Sequence, residues 1–286
     1  MTIVEAIVQG MLLGGLYALF AAGLSLVFGV MRLVNIAHGD FIVLGAYIAF
    51  TVVSLTGLHP FLALLIVIPL MALLGYVLQR LVLERTLGDD ILPPILVTFG
   101  FAIIIQNTLL EVFSTDAQRL SAGSIETASI PVAGMSVGVL PLLTFGVAVA
   151  LIAGLEYVFF RSRIGRAFRA TSDDAETART MGVDTRHVFG LAMALSFAVM
   201  AVAAVLLAAR SNFDPFAGPA RLIYGFEAVI IGGLGNLWGT LAGGVVLGIA
   251  QTLGAQVSPS FQILAGHLVF FLVLALRPRG LFPRMD

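Results

Sequence analysis

Six of the fifteen basic residues fall within residues 161–186, RSRIGRAFRATSDDAETARTMGVDTR, a polar island in a chain that is otherwise long apolar blocks. Every base in the chain is arginine. Ala, Arg, Glu and Met are good helix formers, which argues against a floppy linker. Glu176-Thr177-Ala178-Arg179-Thr180-Met181-Gly182 has the form E-x-A-x-x-x-G. Asp173 and Asp174 ahead of it suit a helix start, and Gly182 suits its end. The pattern predicts a short helix at about 165–183, with Gly165, Arg166, Arg169, Asp173, Glu176, Ala178, Arg179 and Gly182 as its candidate coupling residues. A solvated surface helix obeys the same local rules. Position between two apolar runs is what marks the island as a place to receive a mechanical input from a soluble partner.

No group of residues in the chain points to catalysis. The absence of cysteine excludes disulfides, thiolate metal sites and thiol nucleophiles. The absence of lysine excludes a P-loop, so ATP hydrolysis by that route is not in this chain. His38, His59, His187 and His267 are dispersed at no metal-ligand spacing, and neither HExxH nor GxSxG occurs. The chain is expected to be a transport subunit rather than an enzyme, binding no cofactor or metal itself.

Polar residues inside apolar runs are the candidates for a translocation path, because such groups at membrane depth normally face a bundle interior or a cavity. Asn35, His38 and Asp40 lie in RLVNIAHGD between the first two apolar runs. They read either as the polar end of a half-helix facing a path, or as a turn with Asp40 capping the next helix. Glu227 lies within FEAVIIGG, as a path residue, a structural pair or an interfacial group. Gln106 and Asn107 fall mid-run, where amides also bond between helices. Asn236 sits in the glycine-rich stretch GGLGNLWG.

The elements that must hold these residues follow from composition. The chain has 286 residues, 59% hydrophobic and 11% charged, with mean hydropathy +1.07. A soluble domain carries about 25% charge. Apolar runs of about 20 residues, enough to cross a hydrocarbon core of about 30 Å, recur along it. The expected fold is an all-α polytopic membrane domain over 1–286 with about eight segments: 4–29, 41–56, 59–83, 95–113, 139–160, 187–209 and 261–276, plus a broken or re-entrant stretch at 225–257. The N-terminal run is too long for a cleaved signal peptide and lacks a basic flank, so it reads as a retained span. Placing the island in the cytoplasm by the positive-inside rule puts the N-terminus outside. Arg32, Arg80, Arg85, the island arginines, Arg277, Arg279 and Arg284 then fall inside, and Arg119, Arg210 and Arg221 outside. The basic tail returns inside only if 225–257 turns back, with the glycines of 232–239 as the turning point. Loop 114–138 reads as an outer loop.

Gly10, Gly14, Ala18 and Ala22 recur every fourth residue, as do Gly235, Gly239 and Gly243, with Gly244 and Gly248 on an adjacent face. Small residues at this spacing let helices approach closely in lipid. They predict tight internal packing, or a face awaiting a second subunit in a pseudo-symmetric dimer.

Four blocks in order carry a family resemblance: GLYALFAAGLSLVFGVMRLVNIAHGDFIVLGAY at 15–47, RSRIGRAFRATSDDAETARTMGVD at 161–184, AVIIGGLGNLWGTLAGGVVLG at 228–248 and LRPRGLF at 276–282. Over nearly its whole length the chain resembles the LivH-type permease subunits of branched-chain amino-acid ABC importers. The resemblance implies a bacterial inner-membrane complex of this chain, a related LivM-like permease, two ABC ATPases that bind ATP and Mg, and a periplasmic solute-binding protein. Lipid is the other partner, and nucleic acid is not one. It also implies that the island is the coupling helix seated on an ATPase. Family members often carry a lysine just before the glycine-rich block, where this chain has Tyr224-Gly225-Phe226-Glu227. Permeases of this type also serve amides, urea and aromatic acids, so the substrate stays open. The alternative reading is an ion-coupled secondary transporter, which needs internal repeats and buried coupling charges.

Overall fold

A helix that is apolar on every face needs an apolar surround, and α1 (Ile3–Met31) takes the centre of the bundle. The structure is a computed structural model that describes residues 2–88, 90, 92–132 and 134–282. Against α1 pack α2 (His38–Thr56), α5 (Val139–Arg161), α8 (Thr185–Arg210) and α10 (Leu237–Val257), with α3 (Pro60–Leu81) and α4 (Leu92–Phe113) one layer out, α3 on α8 and α4 on α2. These seven are the described helices long and apolar enough to cross a membrane, α3 with its 3-10 extension to Arg85. The shorter helices α9 (Gly218–Gly232) and α11 (Phe261–Leu276) complete the bundle. The island forms α6 (Arg163–Asp173) and α7 (Ala175–Thr180). Large apolar side chains of α3, α4 and α11, such as Leu65, Leu96 and Phe271, are exposed, as a lipid-facing surface requires.

Two local expectations are revised. The island is two helices rather than one over 165–183, because Asp174 adopts an extended backbone and restarts the chain as the N-cap of α7. Asp173 accordingly ends α6 instead of starting the next helix. Loop 114–138 holds a small antiparallel hairpin, β1 (Ser129–Val132) on β2 (Met135–Gly138). The stretch 225–257 divides into α9 and α10, joined by a turn at residues 233–236 where Gly233 and Gly235 have positive φ.

The glycine stripes are spent inside the chain. A methyl on Gly14 would stand 2.5 Å from the Gly244 carbonyl oxygen, and one on Gly248 2.2 Å from that of Gly10, so α1 and α10 touch backbone to backbone. Gly243 likewise abuts Ala228 of α9. Thr252 donates to the Ala6 carbonyl at 2.9 Å and Tyr17 to the Gln251 side-chain oxygen at 2.5 Å across the α1–α10 seam. These faces are therefore not free for a second subunit, because their Cα surfaces already lie against neighbouring backbone.

Contacts sort the chain into two ends. At one end lie the close of α1, the island, turn 233–236 and the tail. Ser172 donates to the Gly29 carbonyl at 2.6 Å, Gly235 approaches Gly29, and Asn236 donates to the Phe282 carbonyl at 2.9 Å. At the other end Gln118 pairs with Phe213, Arg210 reaches the Leu12 carbonyl and Gln9 that of Ser136. The arginines expected on the island side cluster at the island end, except Arg284, which lies outside the described residues.

Candidate functional site

The island is anchored from below and exposed above. Ser162 caps α6 by accepting from the Gly165 N–H at 2.9 Å. Gly165 makes the corner with α5 possible, since a methyl there would lie 2.2 Å from the carbonyl oxygens of Val158 and Phe159. Phe168 is buried against Phe159, and Ser172 ties α6 to the end of α1. The Asp174 carboxylate accepts from the Thr177 hydroxyl at 2.6 Å and from the Thr177 and Glu176 N–H groups. These bonds, the Thr177 hydroxyl foremost, hold the Asp174 carboxyl below the ordinary aspartate range. At the far end the Gly182 and Val183 N–H groups return to the carbonyls of Arg179 and Ala178, and Gly182 takes φ 87°. That is a Schellman closure, and it needs a residue without Cβ strain in the left-handed region. Past it, Arg186 pairs with Glu84 at 3.4 Å and His187 meets Tyr76 at 2.9 Å, which ties the island's exit to α3.

The eight expected coupling residues divide. Arg166, Asp173, Glu176, Arg179 and Gly182 are exposed; Ala178 is buried as the root of α7. Gly165 is the corner. Arg169 differs from its exposed neighbours: its guanidinium turns toward α5, donating to the Phe159 carbonyl and lying 5.3 Å over the Phe160 ring. Met181, which sequence reasoning passed over, is 81% exposed at the tip of α7. A methionine directly before a helix-ending glycine was its only signal. The result is a mixed-charge surface with an apolar tip, held to α1 and α5.

In the interior, Asn35, His38, Asp40 and Gln106 gather around the first turn of α2. After α1 the chain turns back into the bundle, so that His38 meets the Phe20 carbonyl at 2.7 Å. Phe20 is about 16 Å along α1 from Met31 at 1.5 Å per residue, so α2 starts well inside the bundle. A carbonyl only accepts, so His38 Nε2 carries a proton and donates. Asn35 Oδ1 accepts from the Ala37 N–H at 3.0 Å. Asp40 is buried, accepts from Gln106 Nε2 at 2.8 Å and lies against Gly218, where α9 begins. It does not cap α2, whose N-cap is Ala37 with no side-chain bond.

The remaining expected path residues lie elsewhere. Glu227, buried in α9, bonds His267 of α11 through the histidine Nδ1. Asn107 does not join the interior group: one residue past Gln106 it points roughly 100° around α4, is exposed, and donates to its own helix at Ile103. Asn236 lies apart from this group at the island end of the bundle, where it caps α10 by accepting from Gly239 N–H at 2.8 Å and donates to the Phe282 carbonyl. No group of three or more acidic, histidine or cysteine side chains suited to a metal occurs among the described residues.

The chain whose bundle buries Asn35, His38, Asp40 and Glu227 and carries a charged knob at one end matches a known family model. The model describes the branched-chain amino acid transport system permease component and covers residues 6–276. The chain belongs to that family. It is 29% identical to the high-affinity branched-chain amino acid transport system permease protein BraD of Pseudomonas aeruginosa, over 99% of this chain and 96% of that protein. To the corresponding permease protein LivH of Escherichia coli K12 it is 28% identical, over 97% and 94%. Among solved structures, PsaBC from Streptococcus pneumoniae in complex with Fab shares the fold, with TM-score 0.51 and 15% identity over 95% of this chain and 91% of that one. Membership in the branched-chain permease family makes the chain a multi-pass inner-membrane subunit of an ABC importer, not an enzyme. It also sets aside the ion-coupled secondary transporter.

Proposed function

We infer that the chain moves a branched-chain amino acid, or a related amide, urea or aromatic acid, inward across the membrane. It works beside a second, LivM-like permease. Two ABC ATPases bind ATP and Mg beneath the pair, and a periplasmic solute-binding protein delivers the solute. The N-terminus is periplasmic and the C-terminus cytoplasmic. The observation that carries this reading is the division within the island. Phe168, Ser172 and Arg169 grip α1 and α5, while Arg166, Asp173, Glu176, Arg179 and Met181 project outward. A surface anchored to the central helix and charged outside converts a partner's closure into helix movement. Asn35, His38, Asp40, Gln106 and Glu227 line or border the path, and the passing solute exchanges contacts with them.

The test uses the whole complex in proteoliposomes with Glu176→Arg and Gly182→Val. The charge reversal leaves the island folded but opposes docking, and the β-branched residue strains the left-handed position. Both variants should insert and keep basal ATP hydrolysis while losing solute-stimulated hydrolysis and uptake. Normal uptake with intact stimulation in both would reduce the island to a solvated loop.

A further inference from the structure

A cavity of about 250 Å³ lies where the island meets the bundle. Its walls come from four parts of the chain: Ser25 and Leu26 of α1, Glu156 and Phe159 of α5, Arg169 of α6, and residues 235–237 at the start of α10. The polar groups in it are under-used. Ser25 is 1% exposed, and its hydroxyl has no hydrogen-bond partner. The Glu156 carboxylate has no ionic or hydrogen-bonded partner among the described residues. Arg169 uses one N–H on the Phe159 carbonyl and leaves others of its five donors for a ligand. Leu26, Phe159, Phe160 and Leu237 supply an apolar wall, and the Asn236 amide that also borders the cavity is already spent on Gly239 and Phe282.

A buried hydroxyl without a partner, as on Ser25, is costly to keep unless something visits it, and the half-buried Glu156 carboxylate beside it is free to pair. One acid, one base and one hydroxyl within an apolar wall fit one class of molecule. The ligand's ammonium goes to Glu156, its carboxylate to Arg169 by charge-assisted hydrogen bonds, and its apolar side chain against the leucines and phenylalanines. We propose that this cavity is an inner-side binding site for an apolar α-amino acid, and that its occupancy locks the island and slows the importer.

The regulatory part follows from the walls. Ser25 belongs to the central helix, Arg169 to the island and residues 235–237 to the turn behind α9. A ligand bridging them favours the one arrangement in which these parts lie this close, and it shifts the population toward that arrangement by its differential affinity. Because the island end is the inner end in the importer reading, on which this inference rests, the ligand is delivered product. Accumulated solute inside then restrains further import.

The purified permease–ATPase complex, without its binding protein, is dialysed against radiolabelled leucine. Saturable binding is expected at one leucine per copy of this chain. Leucinamide, which lacks the carboxylate, and 4-methylpentanoate, which lacks the ammonium, should each bind at least tenfold more weakly. Glu156→Gln should weaken leucine binding at least tenfold, and Ser25→Leu, which fills the cavity without touching a charge, should abolish it. Inside-loaded leucine should slow stimulated ATP hydrolysis at least twofold in the parent complex and not in Ser25→Leu. Absence of saturable binding, equal binding of the two analogues and leucine, or binding unchanged in Ser25→Leu would each overturn the site. Uptake delivered by the binding protein is measured in the same vesicles. Uptake with no inner-side binding sinks this inference alone, whereas no ATP-driven uptake of any solute sinks the importer reading.

Discussion

Replacing Gly248 with alanine tests the central seam of the bundle. The added methyl would stand 2.2 Å from the Gly10 carbonyl oxygen and 2.6 Å from the Gly14 nitrogen, where ordinary contact begins at 3.4 Å. Both neighbours are backbone, so neither swings aside, and α1 and α10 must part by about an ångström. That movement also loosens the Tyr17–Gln251 and Thr252–Ala6 hydrogen bonds, which span the same seam. Over-packing of this kind costs about 1–3 kcal/mol, and every 1.4 kcal/mol or so is tenfold in the folded population. Lipid offers no compensating hydrophobic gain, because tails are as apolar as the helix surface. Gly154→Ala on α5 is the matched control. A methyl there meets nothing within 4 Å, and alanine is favoured over glycine in a helix by up to about 1 kcal/mol. Reversible unfolding of the purified permease, followed by loss of helical circular dichroism against added denaturing detergent, should therefore move in opposite directions for the two. If Gly248→Ala is as stable as the parent, or both variants shift alike, α1 and α10 are not in backbone contact and the packing argument fails.

Three further outcomes follow from the site. Gln106→Leu removes the side chain that donates to the buried Asp40 and should destabilise the permease by about 1–3 kcal/mol, while Gln106→Glu paired with Asp40→Asn should recover part of it; the same unfolding assay reads both. The Asp174 carboxyl is held below its ordinary value of 3.8, so its cap on α7 is fully present above that pH and is lost as pH falls through the lowered value; hydrogen exchange of the α7 amides should accelerate in that acid window and lose this pH dependence in Asp174→Ala. Met181→Asp places a charge on an exposed tip and should leave folding stability within about 0.5 kcal/mol while reducing solute-stimulated ATP hydrolysis at least tenfold; unchanged stimulation would show that the tip does not touch the ATPase.

What the residues determine alone is whatever depends on local pattern and on solvent. Unbroken apolar runs specify membrane-crossing helices because an unsatisfied backbone has no partner in hydrocarbon. The turn at 233–236 and the end of α7 at Gly182 were legible because glycine carries its backbone preference wherever it stands. The break at Asp174 was half legible, since two consecutive aspartates suit a cap and only the backbone says which one serves. What tertiary structure decided is direction and partnership. Gln106 and Asn107 are equivalent as residue types, and only the packing of α4 on α2 turns one toward Asp40 and leaves the other outside. Arg169 looks like its neighbour Arg166 until α6 folds against α5 and gives it a carbonyl and a ring. The glycine stripes announce close approach but not with whom; Gly248 finds Gly10 across more than two hundred residues of chain. Ser25, Glu156 and Arg169 carry no motif that joins them, because a cavity is a property of the surfaces that surround it rather than of any one segment.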